Sequence, residues 1–273
     1  MKKATAETAS NAEINADRFV GFADVYEENR PAVPERCIQI ITDYLGKVPD
    51  TVVDFGCGTG LSTQAWQGKC SGIIGIEPSG DMLDIAKLKQ LQNAEFIQAY
   101  AHDTGLTDES ADVVVCSQSF HWMAPEDTLK EVNRILKPNG VFAAVDYDLP
   151  PVFDWQIESV YCKLFDKVRA IESENKVISD TFNRWDKNRH LKNIKSSGYF
   201  RFAREIVFES FCAYDVNKFI GLALSQGSLQ TILREQPLLI EKDVLYFEKV
   251  TRQYFGNKTR NISFCYRMRI GIK

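Results

Sequence analysis

Three glycines at alternate positions, Gly56, Gly58 and Gly60 in VVDFGCGTG (52–60), follow a short apolar run and open a helical pattern. Backbone this bare lets a ligand approach the main chain closely. A dinucleotide fold asks for G-x-G-x-x-G, whose third glycine lets the helix pack and its N-terminus receive a pyrophosphate. The residues three after Gly58 and Gly60 are Leu61 and Thr63, so that fingerprint is missing. Glu77 closes the next apolar run, GIIGIE (72–77), where a carboxylate can accept both hydroxyls of a ribose. Loop and acid together predict a ligand that has a ribose and no pyrophosphate. Taken alone, the glycines also fit an ordinary tight turn.

Few other residues could do chemistry. His121, in SQSFHW (117–122), is one of three histidines and could accept a proton near neutral pH. Lining a pocket, or bonding a loop carbonyl, are its other readings. Arg30 in YEENRP is biased to extended backbone by Pro31. Its guanidinium is a natural fork for a carboxylate, and a surface charge beside a turn is the alternative. His190, among Lys187, Asn188 and Arg189, reads as solvated, and Arg267 and Arg269 read as the solvated face of an alternating strand. The seven cysteines are scattered, odd in number and never in a CxxC pair, which argues against a disulfide framework and a metal site.

Regular elements must hold these groups. Helical spacing runs over 34–45; strands are expected at 51–55, 72–77, 94–99, 111–117 and 141–147, with helices at 60–69, 79–91 and 125–136 between them. Pro125 suits a first helical turn, and KPNG (137–140) stops that helix. This alternation predicts an α/β fold, a doubly wound Rossmann-like, mostly parallel sheet, with ligands at the carboxyl ends of its strands. After DLPP (148–151) the pattern breaks. Residues 152–197 read as a helical cap insertion rich in aromatics, of which two or three among Phe153, Trp155, Tyr161, Phe182 and Trp185 should face the substrate. Residues 198–273 read as the return to the core, through a strand at 204–210, helices at 215–224 and 238–254, and an antiparallel last strand at 261–270. The expected division is 1–33 contributing to the cap, 34–151 core, 152–197 cap and 198–273 return, with 1–15 frayed or loosely helical.

Composition excludes some classes of function. The chain has 273 residues, 44% hydrophobic and 26% charged, with net charge −4, and a pI near 5.6. No global field would hold it on nucleic acid or an anionic membrane, and no apolar run is long enough to span a bilayer. The start, MKKATAETASNAEINADRF, lacks the apolar stretch of a secretory signal. A cytoplasmic protein with reduced thiols is the expectation, as a monomer or homodimer.

VVDFGCGTG followed by GIIGIEPSGDML resembles the first two motifs of class I S-adenosylmethionine-dependent methyltransferases. More narrowly, the chain is similar to the small-molecule, type 11 branch that contains trans-aconitate methyltransferase and the quinone-pathway C-methyltransferases. YEENRPAVP (26–34), GLTDESADVVVCSQSFHWM (105–123), EVNRILKPNGVF (131–142) and the ending ISFCYRMRIGIK fit that branch. The resemblance implies S-adenosylmethionine as cofactor, S-adenosylhomocysteine as product, and a small-molecule acceptor. By the same resemblance Asp54, Gly56, Gly58 and Gly60 lie against the methionine portion, Glu77 on the ribose, and Pro78 and Met82 beside the adenine. Ala101 and His102 follow Tyr100, which stands where the family places an acid for the adenine edge; Asp103 could serve instead. Gln118 joins the cofactor set, Arg30 binds the methionine carboxylate or a substrate carboxylate, Tyr26 sits near the sulfonium, and His121 lies where the methyl group emerges. RNA or protein as acceptor, or a protein that binds the cofactor without turnover, are the alternatives. The glycine spacing disfavours a nicotinamide oxidoreductase.

Overall fold

The computed structural model describes residues 23–273; the stretch 1–15, expected to be frayed or loosely helical, lies outside them. Five strands, β1 Thr51–Phe55, β2 Gly72–Ile76, β3 Ala94–Ile97, β4 Ala111–Ser117 and β5 Leu136–Tyr147, pair in parallel. With β6 Phe202–Tyr214 and β7 Arg260–Ile272 they form one sheet in the order β3-β2-β1-β4-β5-β7-β6. The last strand, β7, runs antiparallel between β5 and β6. The continuous apolar run of β4 follows from burial on both faces: all its residues but Ser117 are buried.

The helices flanking this sheet begin with α1 Ala23–Asn29, α2 Glu35–Leu45, α3 Leu61–Gln64, α4 Gly80–Leu88 and α5 Pro125–Ile135. On α2 the stripe Cys37, Ile38 and Ile41 is buried, and Gly46 ends the helix in the left-handed conformation, its N–H donating to the Thr42 carbonyl. The helix expected over 60–69 is confined to α3, and a turn follows in which Gly68 has φ 70°. KPNG does more than stop a helix: residues 137–140 belong to β5, whose register shifts between Ala111 and Val113, with Asn139 at φ 67°.

The chain then continues through α6 Trp155–Glu174, α7 Lys176–Ser179, α8 His190–Ser196, α9 Val216–Leu224, α10 Gly227–Glu235 and α11 Glu241–Phe255. The connection between β6 and β7 holds three helices where two were expected, and these pack with α6. Residues 216–255 therefore build the cap together with α6, and α8, at the end of the expected cap, lies instead on β6 and β7. Helix α1 closes onto this layer, where a Cβ at Gly221 would overlap the Asn29 amide. Of the five aromatics expected to face a substrate, Tyr161 and Phe153 pack inside the cap against Phe219 and Phe255, and Trp155 is exposed. Phe182 lies under the Arg184 guanidinium. Trp185 alone of the five lines the cleft described next.

Candidate active site

The cleft opens at the carboxyl ends of β1, β2 and β4, where the strand order reverses from the β1–β2 side to the β4 side. That is where doubly wound sheets bind ligands. It holds about 870 Å³ including its mouth, ample for a nucleoside-sized ligand.

Each glycine of the loop has a different task. Gly56, at φ 66°, takes no side chain because a Cβ would lie 2.6 Å from the Ser119 Cβ. Gly58, at φ 54°, has nothing within 4 Å of its Cβ position and lines the cleft, so open space remains where a ligand can meet the backbone. Gly60, at φ 82°, turns the chain into α3, and its Cβ would press on Ala86 and Phe96 at 3.3 Å. It serves helix packing, and does not line the cleft. Gly58→Val should place a branched side chain into the cleft at a left-handed position, abolishing nucleoside binding by calorimetry while thermal unfolding stays cooperative.

Glu77 lines the cleft and is 8% exposed; its Oε2 accepts from the Gly58 N–H at 3.0 Å and its Oε1 from the Ser79 N–H at 3.0 Å. Burial, reinforced by nearby Asp54 and opposed by these two hydrogen bonds, pushes its pKa up to about 7. Asp54, which the resemblance puts against the methionine portion, does not line the cleft, and its Oδ1 is buried without a partner. It is fully buried, accepts from Ser62 Oγ at 2.6 Å and Thr63 Oγ1 at 2.7 Å, and ties β1 to α3, burial raising its pKa to about 6.

Pro78, Met82, Ala101, His102, Gln118 and Tyr26 all line the cleft. Tyr100 lines it too, stacked on His102 with ring centroids 5.6 Å apart, whereas Asp103 is exposed and does not. Gln118 is held at φ 57°, an uncommon conformation for a residue with a side chain. Lys187 Nζ donates to its Oε1 at 3.1 Å, which leaves its Nε2 buried without a partner.

Two more cavities meet the cleft. Tyr26 and Gln118 line all three. One lies behind the glycine loop, between Arg30, Ser62 and Tyr147. Arg30 Nε donates to Ser225 Oγ at 2.8 Å, Nη1 to Tyr147 Oη at 2.7 Å and Nη2 to the Ser225 carbonyl at 2.8 Å, and the guanidinium covers the Tyr26 ring at 4.6 Å. Among the described residues none of these partners is a carboxylate. The other cavity is a chamber lined by His121, Trp122, Arg184, Trp185 and Lys187, so His121 borders this chamber and not the cleft itself.

His121 is buried, with Nδ1 3.7 Å from Asp146 Oδ1. Burial first, then Lys187, His190, Arg184 and Arg30, hold its pKa well below 6.5, so the ring is neutral. Its carbonyl accepts from the Trp185 N–H at 2.9 Å, latching the cap loop onto the site. Asp146, near the end of β5, is the residue that sequence reasoning missed. It is 4% exposed, with Lys187 Nζ at 2.8 Å from Oδ1 and Arg269 Nη1 at 2.9 Å from Oδ2. An acid inside the otherwise apolar run VFAAVDY was the available signal.

Two expectations fail here. His190 is not solvated but fully buried, 3.8 Å from Asp146 and packed on Phe120, and burial lowers its pKa to about 4. Arg269 is likewise buried, paired to Asp146 and to Glu205 at 2.8 Å, while Arg267 keeps partial exposure beside Asp148. His121, Asp146 and His190 come within 4.8 Å of one another, close enough to suggest a metal site. An ammonium and a guanidinium already hold both Asp146 oxygens, so a divalent cation would sit against two positive charges. Among the described residues no helix is long and apolar enough to cross a membrane.

A seven-stranded sheet in this order, with a glycine loop and a ribose-height acid at its switch point, has the architecture of a class I methyltransferase. Residues 53–144 match the family described as a methyltransferase domain. The uncharacterized methyltransferase C25B8.09 of Schizosaccharomyces pombe is 35% identical over 122 residues, 44% of this chain and 48% of that protein. CRG1 of Saccharomyces cerevisiae, named a probable S-adenosylmethionine-dependent methyltransferase, is 31% identical over 145 residues, 50% of each chain. The chain thus spans about half the length of these curated relatives. Among solved structures, a candidate type II methyltransferase from Anaeromyxobacter dehalogenans superposes with a TM-score of 0.64 at 18% identity, covering 89% of this chain and 97% of that one. At that identity the likeness is one of fold.

Proposed function

We propose that this protein transfers a methyl group from S-adenosylmethionine to a small-molecule acceptor. The observation that carries this reading is the meeting of three cavities at Tyr26 and Gln118. The residues present fit the cofactor: Gly58 leaves open space on the cleft, Glu77 offers a carboxylate, and Arg30 is a half-buried cation without a described acidic partner. The adenosine belongs in the cleft, with Glu77 accepting from the ribose hydroxyls. The amino-acid end belongs behind the glycine loop, with Arg30 facing its carboxylate. The acceptor belongs in the chamber. Bound, the cofactor supplies a methyl group already activated on a sulfonium, so the protein's part is alignment to about 3–3.5 Å and exclusion of water.

Trp122 and Trp185 line both the cleft and the chamber and shield the junction from solvent. Gln118 Nε2, buried and unpartnered, is a donor ready for a ligand oxygen at that junction. Where the acceptor attacks through O–H or N–H, neutral His121 takes the proton on the ring nitrogen opposite Nδ1, which faces Asp146. The net charge of −4, which offers no global field for RNA, favours a small acceptor.

Calorimetry with S-adenosylmethionine and S-adenosylhomocysteine tests the core of this reading: micromolar binding by the wild type is expected, and no binding would sink it. Arg30→Ala should weaken S-adenosylhomocysteine by about tenfold or more. It should leave 5′-methylthioadenosine, which lacks the amino-acid portion, unchanged. Equal losses for both ligands would remove Arg30 from the carboxylate role.

A further inference from the structure

The chamber beyond the junction has a charge of its own. Three cations, Arg30, Arg184 and Lys187, and a single carboxylate, Asp186, are among its lining residues. Asp186 is occupied as a cap, accepting from the Asn188 N–H at 2.9 Å. The acids that balance the other two cations border a neighbouring cavity, which Arg184 and Lys187 line as well: Glu172 Oε2 lies 3.6 Å from Arg184 Nη2, and Asp146 Oδ1 2.8 Å from Lys187 Nζ. Arg184 and Lys187 nevertheless keep 40% and 36% of their side chains exposed. Burial first, and then Lys187, His190, Arg184 and Arg30, act to expel the proton of His121.

Trp122 and Trp185 form the apolar wall of the same chamber, on the side of the cleft. An uncharged or cationic acceptor that displaced water from this space would leave Arg184 desolvated and poorly compensated, which is costly. An oxyanion would restore the balance, and a guanidinium beside an ammonium suits two or three oxygens on one centre.

Resting on the methyl-transfer reading above, we infer that the acceptor is a small anion, a carboxylate or a phosphate monoester on a flat or apolar body. Arg184 and Lys187 read its charge, and Trp122 and Trp185 hold its body beside the junction. Arg184 and Lys187 act as specificity residues of the acceptor site; neither lines the cleft, though Lys187 also donates to Gln118.

The test uses full-length protein saturated with S-adenosylhomocysteine, followed by tryptophan fluorescence. Four probes of one size are titrated: benzoate, phenyl phosphate, benzyl alcohol and benzylamine. One or both anions should bind about tenfold or more tighter than the alcohol and the amine, and the ratio of the two anions tells carboxylate from phosphate. Arg184→Gln should abolish that preference while S-adenosylhomocysteine binds as in the wild type, which also shows the variant is folded. Lys187→Gln should reduce it. The inference is overturned if the alcohol or amine binds as well as the anions, if no probe binds, or if the preference survives in both variants. Failure of S-adenosylhomocysteine itself to bind would instead overturn the methyltransferase reading.

Discussion

Glu77→Ala should weaken S-adenosylmethionine binding by about two orders of magnitude or more, measured by calorimetry. Two hydroxyl donors on a carboxylate contribute about 1.5–3 kcal/mol each, and each 1.4 kcal/mol is a tenfold change. The substitution also strips the Gly58 N–H of its acceptor, loosening the loop that lies on the ligand. A loss of less than about threefold would remove Glu77 from the ribose. The pH dependence gives an independent check. With its pKa near 7, against an ordinary 4.5, Glu77 is largely protonated at pH 6 in the empty protein. Ribose hydroxyls favour the ionised form, so affinity should rise from pH 6 to 8 and then level. In Glu77→Gln this slope should vanish. The sign for stability is the opposite. Folded Glu77 retains a proton that the unfolded chain has lost, so its contribution is full below about pH 4.5 and is lost as pH rises through 7. Asp54, at about 6, pulls the same way. His121 and His190, whose folded pKa values are lowered, pull the opposite way over the same window, so the comparison that isolates Glu77 is with Glu77→Gln: from pH 6 to pH 8 the empty wild type should lose melting temperature relative to that variant.

Asp146→Ala should be the most damaging single substitution for stability, lowering the melting temperature by on the order of 10 °C. Its carboxylate joins Arg269 of β7 to Lys187 of the cap loop, with His121 and His190 on either side. Removing it leaves Arg269, 3% exposed, with Glu205 alone. Breaking a buried pair from one side costs about 3–5 kcal/mol, and each kcal/mol moves a chain of this size by roughly 2–4 °C. Asp146→Leu combined with Arg269→Met should recover much of the loss, since an apolar pair carries no unpaired charge. Recovery of the fold without recovery of turnover would assign Asp146 a second task, orienting His121 and Lys187. A melting temperature within about 2 °C of wild type in Asp146→Ala would contradict the ion cluster.

Gly56, Gly58 and Glu77, the proposed ribose site, are legible because those residues are close along the chain: one glycine loop, one short helix and the next strand bring them together. The same locality made the five parallel strands and the helices between them legible. It also misled. Asp54 stands two residues before Gly56, yet one of its oxygens accepts from Ser62 and Thr63, eight and nine residues on. Gly60 looks like its two neighbours but faces Ala86 and Phe96.

The sequence by itself determined the class of ligand, through glycines whose backbone angles few other residues adopt and an acid placed at a strand end. Only the tertiary structure decided where His190 and Arg269 lie, because their solvent-like neighbours in sequence are not their neighbours in space. The same holds for the chamber. Arg30, His121, Lys187 and Ser228 come from four separate stretches, and one antiparallel strand inserted between β5 and β6 sets how the cap folds over them. Contacts across more than a hundred residues depend on strand order and helix packing, which no local pattern of residue types encodes.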